Sequence, residues 1–288
     1  MSSLECWQRG ASQLRRDPKV GRAHVIHALS RTPIFTPLRY VALGDSMSLD
    51  LYPALAAGEV DIAVALERVT TAGKIAALGA ASLLYQNSDE HWPDDAGNDL
   101  VSRFPRIGFE NLSTDGATIG EVFGEQLTLL EESEEPVLLT LTVGQSDVLS
   151  VASIRSRASL LDKIGADIVE AYDFLVDTLR GHFPNGLIIL TTVCDPSDRT
   201  GKIPGVFDDA GPLPLEVLDR LNVHIRSLVS GTPRLALADA YSRFLGHGVS
   251  AAEAERWYWR RSLTEPNARG ASELRHLWLD ALDTADQT

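Results

Sequence analysis

Cysteine is nearly missing from this chain: Cys6 and Cys194 are the only two among 288 residues, far apart and without a CxxC partner. A disulfide framework and a structural zinc site both need more thiols at closer spacing, so neither is expected, and a reducing compartment fits. Long apolar runs are missing too. The longest, such as Leu187 to Val193, are strand-sized, whereas a bilayer span takes about 20 residues; no membrane span is expected. Met1 to Arg16 mixes charged and polar side chains with no apolar block ahead of a small-residue cleavage site. It does not resemble a secretory signal, and the expected location is cytoplasmic. Basic charge is also short, with 26 Lys and Arg against 40 Asp and Glu for a net charge of −14. Such a surface repels a phosphate backbone, and without a basic stripe nucleic acid is not an expected partner.

Ligand sets for metals are equally thin. His24 and His27 lie three apart on a possible helix but lack a third ligand, and a surface role is the simpler reading. Asp94, Asp95 and Asp99 lack the glycine and terminal glutamate of a calcium loop, which leaves a solvated acidic patch. No metal or cofactor is expected. Oligomeric state leaves no mark on the sequence.

What is present is a 44% hydrophobic chain, enough for a large core, in which strand and helix patterns alternate. Short apolar runs predict strands at Arg39–Leu43, Ile107–Leu112, Pro136–Val143, Leu187–Val193 and Arg234–Ala238. Helical spacing predicts helices at Glu59–Tyr85, Thr118–Glu132, Ser159–His182, Leu215–Val229 and Gly270–Leu282. Parallel crossovers need a dozen or more residues and usually supply a helix. The expected fold is therefore α/β, three-layer α/β/α, with a five-stranded parallel sheet in flavodoxin-like order. Residues 1–36 read as an N-terminal extension and 37–288 as a single domain. Ligands in such folds sit at the carboxyl ends of the strands, here the loops opening at Gly44, Ser113, Gly144, Cys194 and Asp239.

Gly44-Asp45-Ser46 directly follows the first predicted strand and precedes a probable helix. A serine there is either a helix N-cap or a nucleophile held at the sheet edge beside a free backbone N–H. Val41 to Ser48 resembles the first sequence block of the SGNH (GDSL) hydrolases, and Asn111 to Thr118 resembles the second. Leu141 to Asp147 resembles the third and Glu265 to Ala271 the last, all in the family's order over residues 38–285 or so. The resemblance implies the SGNH hydrolase fold and an acyl-enzyme on Ser46, with the N–H groups of Ser46 and Gly116 facing the oxyanion. Gly116 is otherwise a plain turn glycine in Asp-Gly.

Two positions depart from the family pattern. Where an asparagine usually completes the oxyanion hole this chain has Ser146, and losing one such donor costs about 100- to 1000-fold in turnover. Gln145 substitutes only if its side chain turns inward. Where the last block usually reads Asp-x-x-His this chain has Ser262 and Glu265, although its Glu-Pro-Asn-Ala is similar to that of a bacterial subgroup of the family. Glu265 serves as a base if burial lifts its pKa from about 4.3 toward neutrality. His247, in Gly246-His247-Gly248, is the second candidate base, with Glu265 then orienting its ring; its alternative is a solvent-exposed loop histidine. Asp195 and Asp198 either line the site or form a turn, and Trp257, Tyr258 and Trp259 wall an acyl pocket or cover core. Arg260 and Arg261 greet an anionic substrate or face solvent.

The function these residues imply is a serine esterase or acyl hydrolase acting on a small or medium ester, Ser46 being the nucleophile and Asp45, with Gly116, Ser146 and Gln145, an oxyanion- or substrate-binding residue. An acyltransferase shares the first half-reaction, and a non-catalytic SGNH-like binding protein would share only the scaffold.

Overall fold

Period-two alternation along the strands divides the core into two layers. On β1 (Arg39–Gly44), Val41 and Leu43 face one side while Tyr40 and Ala42 face the other. The same split separates Leu139 and Leu141 from Leu138, and Ile188 and Leu190 from Ile189. Both faces of this sheet are apolar, so both must be covered. The computed structural model describes residues 35–58, 75–152, 158–205 and 211–286.

After β1 come α1 (Leu51–Ala57), α2 (Ala80–Tyr85), α3 (Leu100–Arg103) and β2 (Gly108–Asn111), then α4 (Ile119–Glu121) and β3 (Val137–Thr142). There follow α5 (Gln145–Ala152), α6 (Ala158–His182), β4 (Leu187–Thr191), α7 (Leu215–Val229), β5 (Leu235–Ala238) and α8 (Ala240–Phe244). A two-stranded hairpin, β6 (Tyr258–Trp259) and β7 (Ser262–Pro266), leads into α9 (Ala268–Ala285). The five main strands are parallel, in the order β2-β1-β3-β4-β5. This is the three-layer α/β/α arrangement expected from the alternation, each predicted strand lying within two residues of its observed bounds. Tyr172, Leu175 and Leu179 of α6 and Leu218 and Leu221 of α7 cover one face; Leu83 and Leu84 of α2 and Leu274 and Trp278 of α9 cover the other.

The helices follow the sequence less closely. The helix expected over Thr118–Glu132 is broken: α4 passes into a π-helical stretch, Val122–Gln126, and a 3-10 turn, Leu127–Leu129. For the helix expected over Glu59–Tyr85, residues 59–74 lie outside the described residues, residues 75–79 are not helical, and only α2 is observed. Residues 1–34, with Cys6, His24, His27 and nearly all of the expected extension, also lie outside them. Asp94 is exposed, as expected, but Asp95 and Asp99 do not belong to a solvated patch. Asp95 pairs with the fully buried Arg275 at 2.6 Å and with His276 at 2.9 Å, and Asp99 caps α3 through the Ser102 N–H. A buried guanidinium needs partners, and these carboxylates supply them.

No described helix is long and apolar enough to cross a membrane. Cys194 is a free, buried thiol.

Candidate active site

The strand order reverses between β1 and its two neighbours, which opens a crevice at the carboxyl end of β1. Gly44, the last residue of β1, has φ +125°, and a Cβ there would fall 1.7 Å from the Thr142 carbonyl oxygen. Only glycine lets the chain turn so close to β3. The turn delivers Ser46 to the start of a 3-10 turn, Ser46–Ser48, N-capped by Asp45 through the Met47 N–H at 3.1 Å. The cap is therefore Asp45 and not Ser46, which leaves the Ser46 hydroxyl available.

That hydroxyl meets Glu265 on β7. Its proximity lowers the carboxylate's proton affinity, while burial, the larger influence, and the nearby charge of Asp115 raise it; the net pKa lies above the ordinary glutamate value. Oε1 of Glu265 accepts from Thr264 Oγ1 at 3.2 Å, and Thr264 Oγ1 in turn is 3.1 Å from Ser262 Oγ. Ser262, where the family pattern has its aspartate, thus heads a short hydroxyl chain ending on Glu265. Oε2 is buried with no full hydrogen-bond partner, so the contact with Ser46 is looser than a fully formed bond, as is common before substrate arrives.

The N–H groups of Ser46 and Gly116 bond to no described residue. Gly116 is exposed and has φ +70°, so its glycine is required by the backbone as well as by access. Its loop is held to the nucleophile turn by Thr114 N–H on Gly44 O at 3.0 Å and by Asn111 Nδ2 on Ser48 O at 3.2 Å. Ser146, in the first turn of α5, is half-buried and its hydroxyl engages no described residue. Gln145 does turn inward, but its amide donates to the Thr264 carbonyl at 2.9 Å. It props up the strand that carries Glu265.

His247 is placed elsewhere. Its ring stacks on Trp257 at 3.7 Å, Nδ1 lies 3.0 Å from the Glu255 carbonyl oxygen, and it bonds to neither Ser46 nor Glu265. The three-residue unit of Ser46, His247 and Glu265 is not assembled. The loop that holds His247 is docked on Asp198, whose carboxylate accepts the N–H groups of Gly246, Gly248 and Ser250. Asp195 likewise accepts from Ser197 and Arg199, so both aspartates are turn formers. Among the three consecutive aromatics, Trp257 and Tyr258 are buried edge-on against Phe244. Trp259 alone faces the site side, its ring 5.7 Å from that of Tyr52, whose hydroxyl donates to Asp115 at 2.7 Å.

No protein-family model matches the chain, and no curated protein matches it in sequence. Solved structures do. An extracellular lipase from Streptomyces rimosus is 19% identical, with 86% of this chain and 99% of that one covered at a TM-score of 0.50. Phospholipase A1 from Streptomyces albidoflavus is 19% identical, covering 87% and 100% with a TM-score of 0.51. Axe2, an acetylxylan esterase from Geobacillus stearothermophilus, is 14% identical, covering 87% and 96% with a TM-score of 0.51. At these identities the likeness is one of architecture. The fold is that of the SGNH hydrolases.

Within this SGNH fold, one residue that sequence reasoning missed is Gln126. Its buried side chain accepts the Gly44 N–H at 2.8 Å and donates to the Gly44 carbonyl at 2.8 Å and to Thr114 Oγ1 at 3.0 Å. It clamps the residue two before Ser46 to the loop that carries Gly116. The only signal in the sequence is its helical spacing from the apolar Val122 and Leu130, both buried. Gln126→Ala leaves the buried Gly44 N–H unpaired, at about 1–3 kcal/mol, while the Gly44 carbonyl keeps the Thr114 N–H. A lower urea midpoint is expected.

Asp45 is buried at 3% exposure, and burial above all pushes its pKa up to about 7; the Met47 N–H opposes this and the charge of Glu265 adds to it. Because the folded value lies above the unfolded one, the native state holds the extra proton, and stability falls as pH rises from about 4 to about 7. Asparagine keeps the acceptor for Met47 and never ionises. Asp45→Asn is expected to match the wild type near pH 4 and to exceed its stability at pH 8 by about 2–4 kcal/mol, read by urea denaturation.

Proposed function

We propose that the chain is a serine esterase that hydrolyses carboxylic esters through an acyl-enzyme on Ser46, with Glu265 as its general base. The observation that carries this reading is the approach of the Ser46 hydroxyl to the Glu265 carboxylate at the end of β1. Two unpaired N–H groups, of Ser46 and Gly116, accompany it.

In the first half-reaction Ser46 Oγ attacks the acyl carbon as its proton passes to Glu265. The oxyanion takes hydrogen bonds from the Ser46 and Gly116 N–H groups, with the Ser146 hydroxyl assigned as a third donor. Collapse of the tetrahedral intermediate expels the alkoxide, which takes the proton from Glu265. Water then attacks the acyl-enzyme, giving its proton to the same carboxylate, and the second collapse returns that proton to Ser46 and frees the acid. A carboxylate suits this work only if its proton affinity approaches that of the medium, and burial moves Glu265 in that direction. His247, held against Trp257 and Glu255, takes no step.

A fluorophosphonate probe tests the reading. Labelling is expected at Ser46 alone, mapped by mass spectrometry of the tryptic peptides. An intact protein that takes up no probe at Ser46 overturns it.

A further inference from the structure

Beside the Trp259 wall lies a cleft of about 420 Å³, lined by Arg256, Arg260, Arg261, Glu253 and residues 55–58 at the end of α1. Arg260 and Arg261 form the two-residue turn between β6 and β7, where Trp259 pairs with Ser262. Arg256 is fixed through its Nε on the Ala251 carbonyl at 3.1 Å, which leaves its terminal nitrogens without a described partner.

Several other arginines among the described residues are paired with carboxylates: Arg199 with Asp219, Arg220 with Asp162, Arg226 with Asp239, Arg269 with Glu255; Arg234 reaches only the Asn185 carbonyl. The three in the cleft have no carboxylate within ion-pair distance among the described residues, and Glu253 is the single acid on the lining. With 40 acidic side chains available in the sequence, three unpaired guanidinium groups around one concavity make a pocket of opposite sign to the protein as a whole. Planar guanidinium groups grip carboxylate and phosphate oxygens in pairs.

The cleft and the nucleophile share a wall. Tyr52, one turn before Leu55 on α1, packs on Trp259, and the turn that bears Arg261 continues along β7 to Glu265. Four residues of extended strand separate Arg261 from Glu265, about 13 Å. We propose that the cleft holds an anionic group, carboxylate or phosphate, of the same ester molecule whose carbonyl faces Ser46, a reading that rests on the esterase assignment above. The substrate is then a soluble ester with its charge on the order of 10 Å from the scissile bond. An anionic bilayer is disfavoured, because a net charge of −14 repels it overall.

Calorimetry on Ser46→Ala tests the cleft without turnover. Hexyl phosphate is expected to bind one to one and hexanol not at all, and Arg260→Ser with Arg261→Ser is expected to weaken hexyl phosphate about tenfold or more. In the otherwise wild-type protein, mono-p-nitrophenyl suberate should show a KM about tenfold below that of p-nitrophenyl octanoate, a gap that closes in the double arginine variant. Equal affinity for hexyl phosphate and hexanol, indifference to the arginine substitutions, or binding only to phosphatidylglycerol vesicles overturns the proposal. If neutral esters are turned over but hexyl phosphate does not bind, the cleft reading fails alone. If hexyl phosphate binds but neither ester is turned over and Ser46 takes no fluorophosphonate, the esterase reading fails and the substrate assignment falls with it.

Discussion

Alanine at position 46 is expected to lower kcat for ester hydrolysis by about 10⁴-fold or more, with the urea midpoint nearly unchanged. The size follows from the role: without a nucleophile no acyl-enzyme forms, and only binding and oxyanion stabilisation remain to act on water. The stability expectation follows from the structure, in which the Ser46 main-chain carbonyl accepts the Leu49 N–H and its hydroxyl supports no element of the fold. Ser48 provides the internal control. It is fully buried and shares a 2.9 Å hydrogen bond with Thr142, so Ser48→Ala should cost about 1 kcal/mol of stability while keeping fluorophosphonate labelling. Retained labelling and turnover in Ser46→Ala would end the nucleophile assignment.

Glu265→Gln is the second large effect, a loss of about 10²- to 10⁴-fold in kcat. Glutamine preserves the acceptor for Thr264 but accepts no proton from Ser46. The pH dependence distinguishes a base from a structural carboxylate. Burial raises the Glu265 pKa, so in the wild type activity is low where the carboxylate is protonated and rises with pH as it ionises. That acid limb should vanish in Glu265→Gln, leaving a low, flat profile. His247→Ala should keep both the rate and the limb, since the ring is occupied by Trp257 and the Glu255 carbonyl. Loss of activity in His247→Ala with Glu265→Gln unaffected would reverse the assignment of the base.

The two bases illustrate where reading residues in order stops being informative. His247 was attractive because imidazole has the better intrinsic pKa and sits between glycines, yet that loop is folded onto Asp198 by three N–H groups. Glu265 has the poorer intrinsic pKa and is brought to Ser46 by a hairpin whose first strand is two residues long. No alternation can be read in so short a segment. Gln126, Gln145 and Ser262 were hidden for a related reason: each acts on a residue distant in the chain or through a relay, and an amide or hydroxyl in the sequence does not say which backbone group it will bind.

Local physics carried the rest. Five apolar runs of strand length, separated by segments long enough for crossover helices, are sufficient for a parallel sheet with helices on both faces, and that sheet is observed. Gly44 and Gly116 were marked by motif and are required by positive φ, a property of the single residue. Which carboxylate faces the serine, which arginines remain unpaired and which aromatic stays at the surface were decided only by tertiary packing. Those outcomes depend on distances between segments far apart in the chain, and on which charges are desolvated when the segments meet.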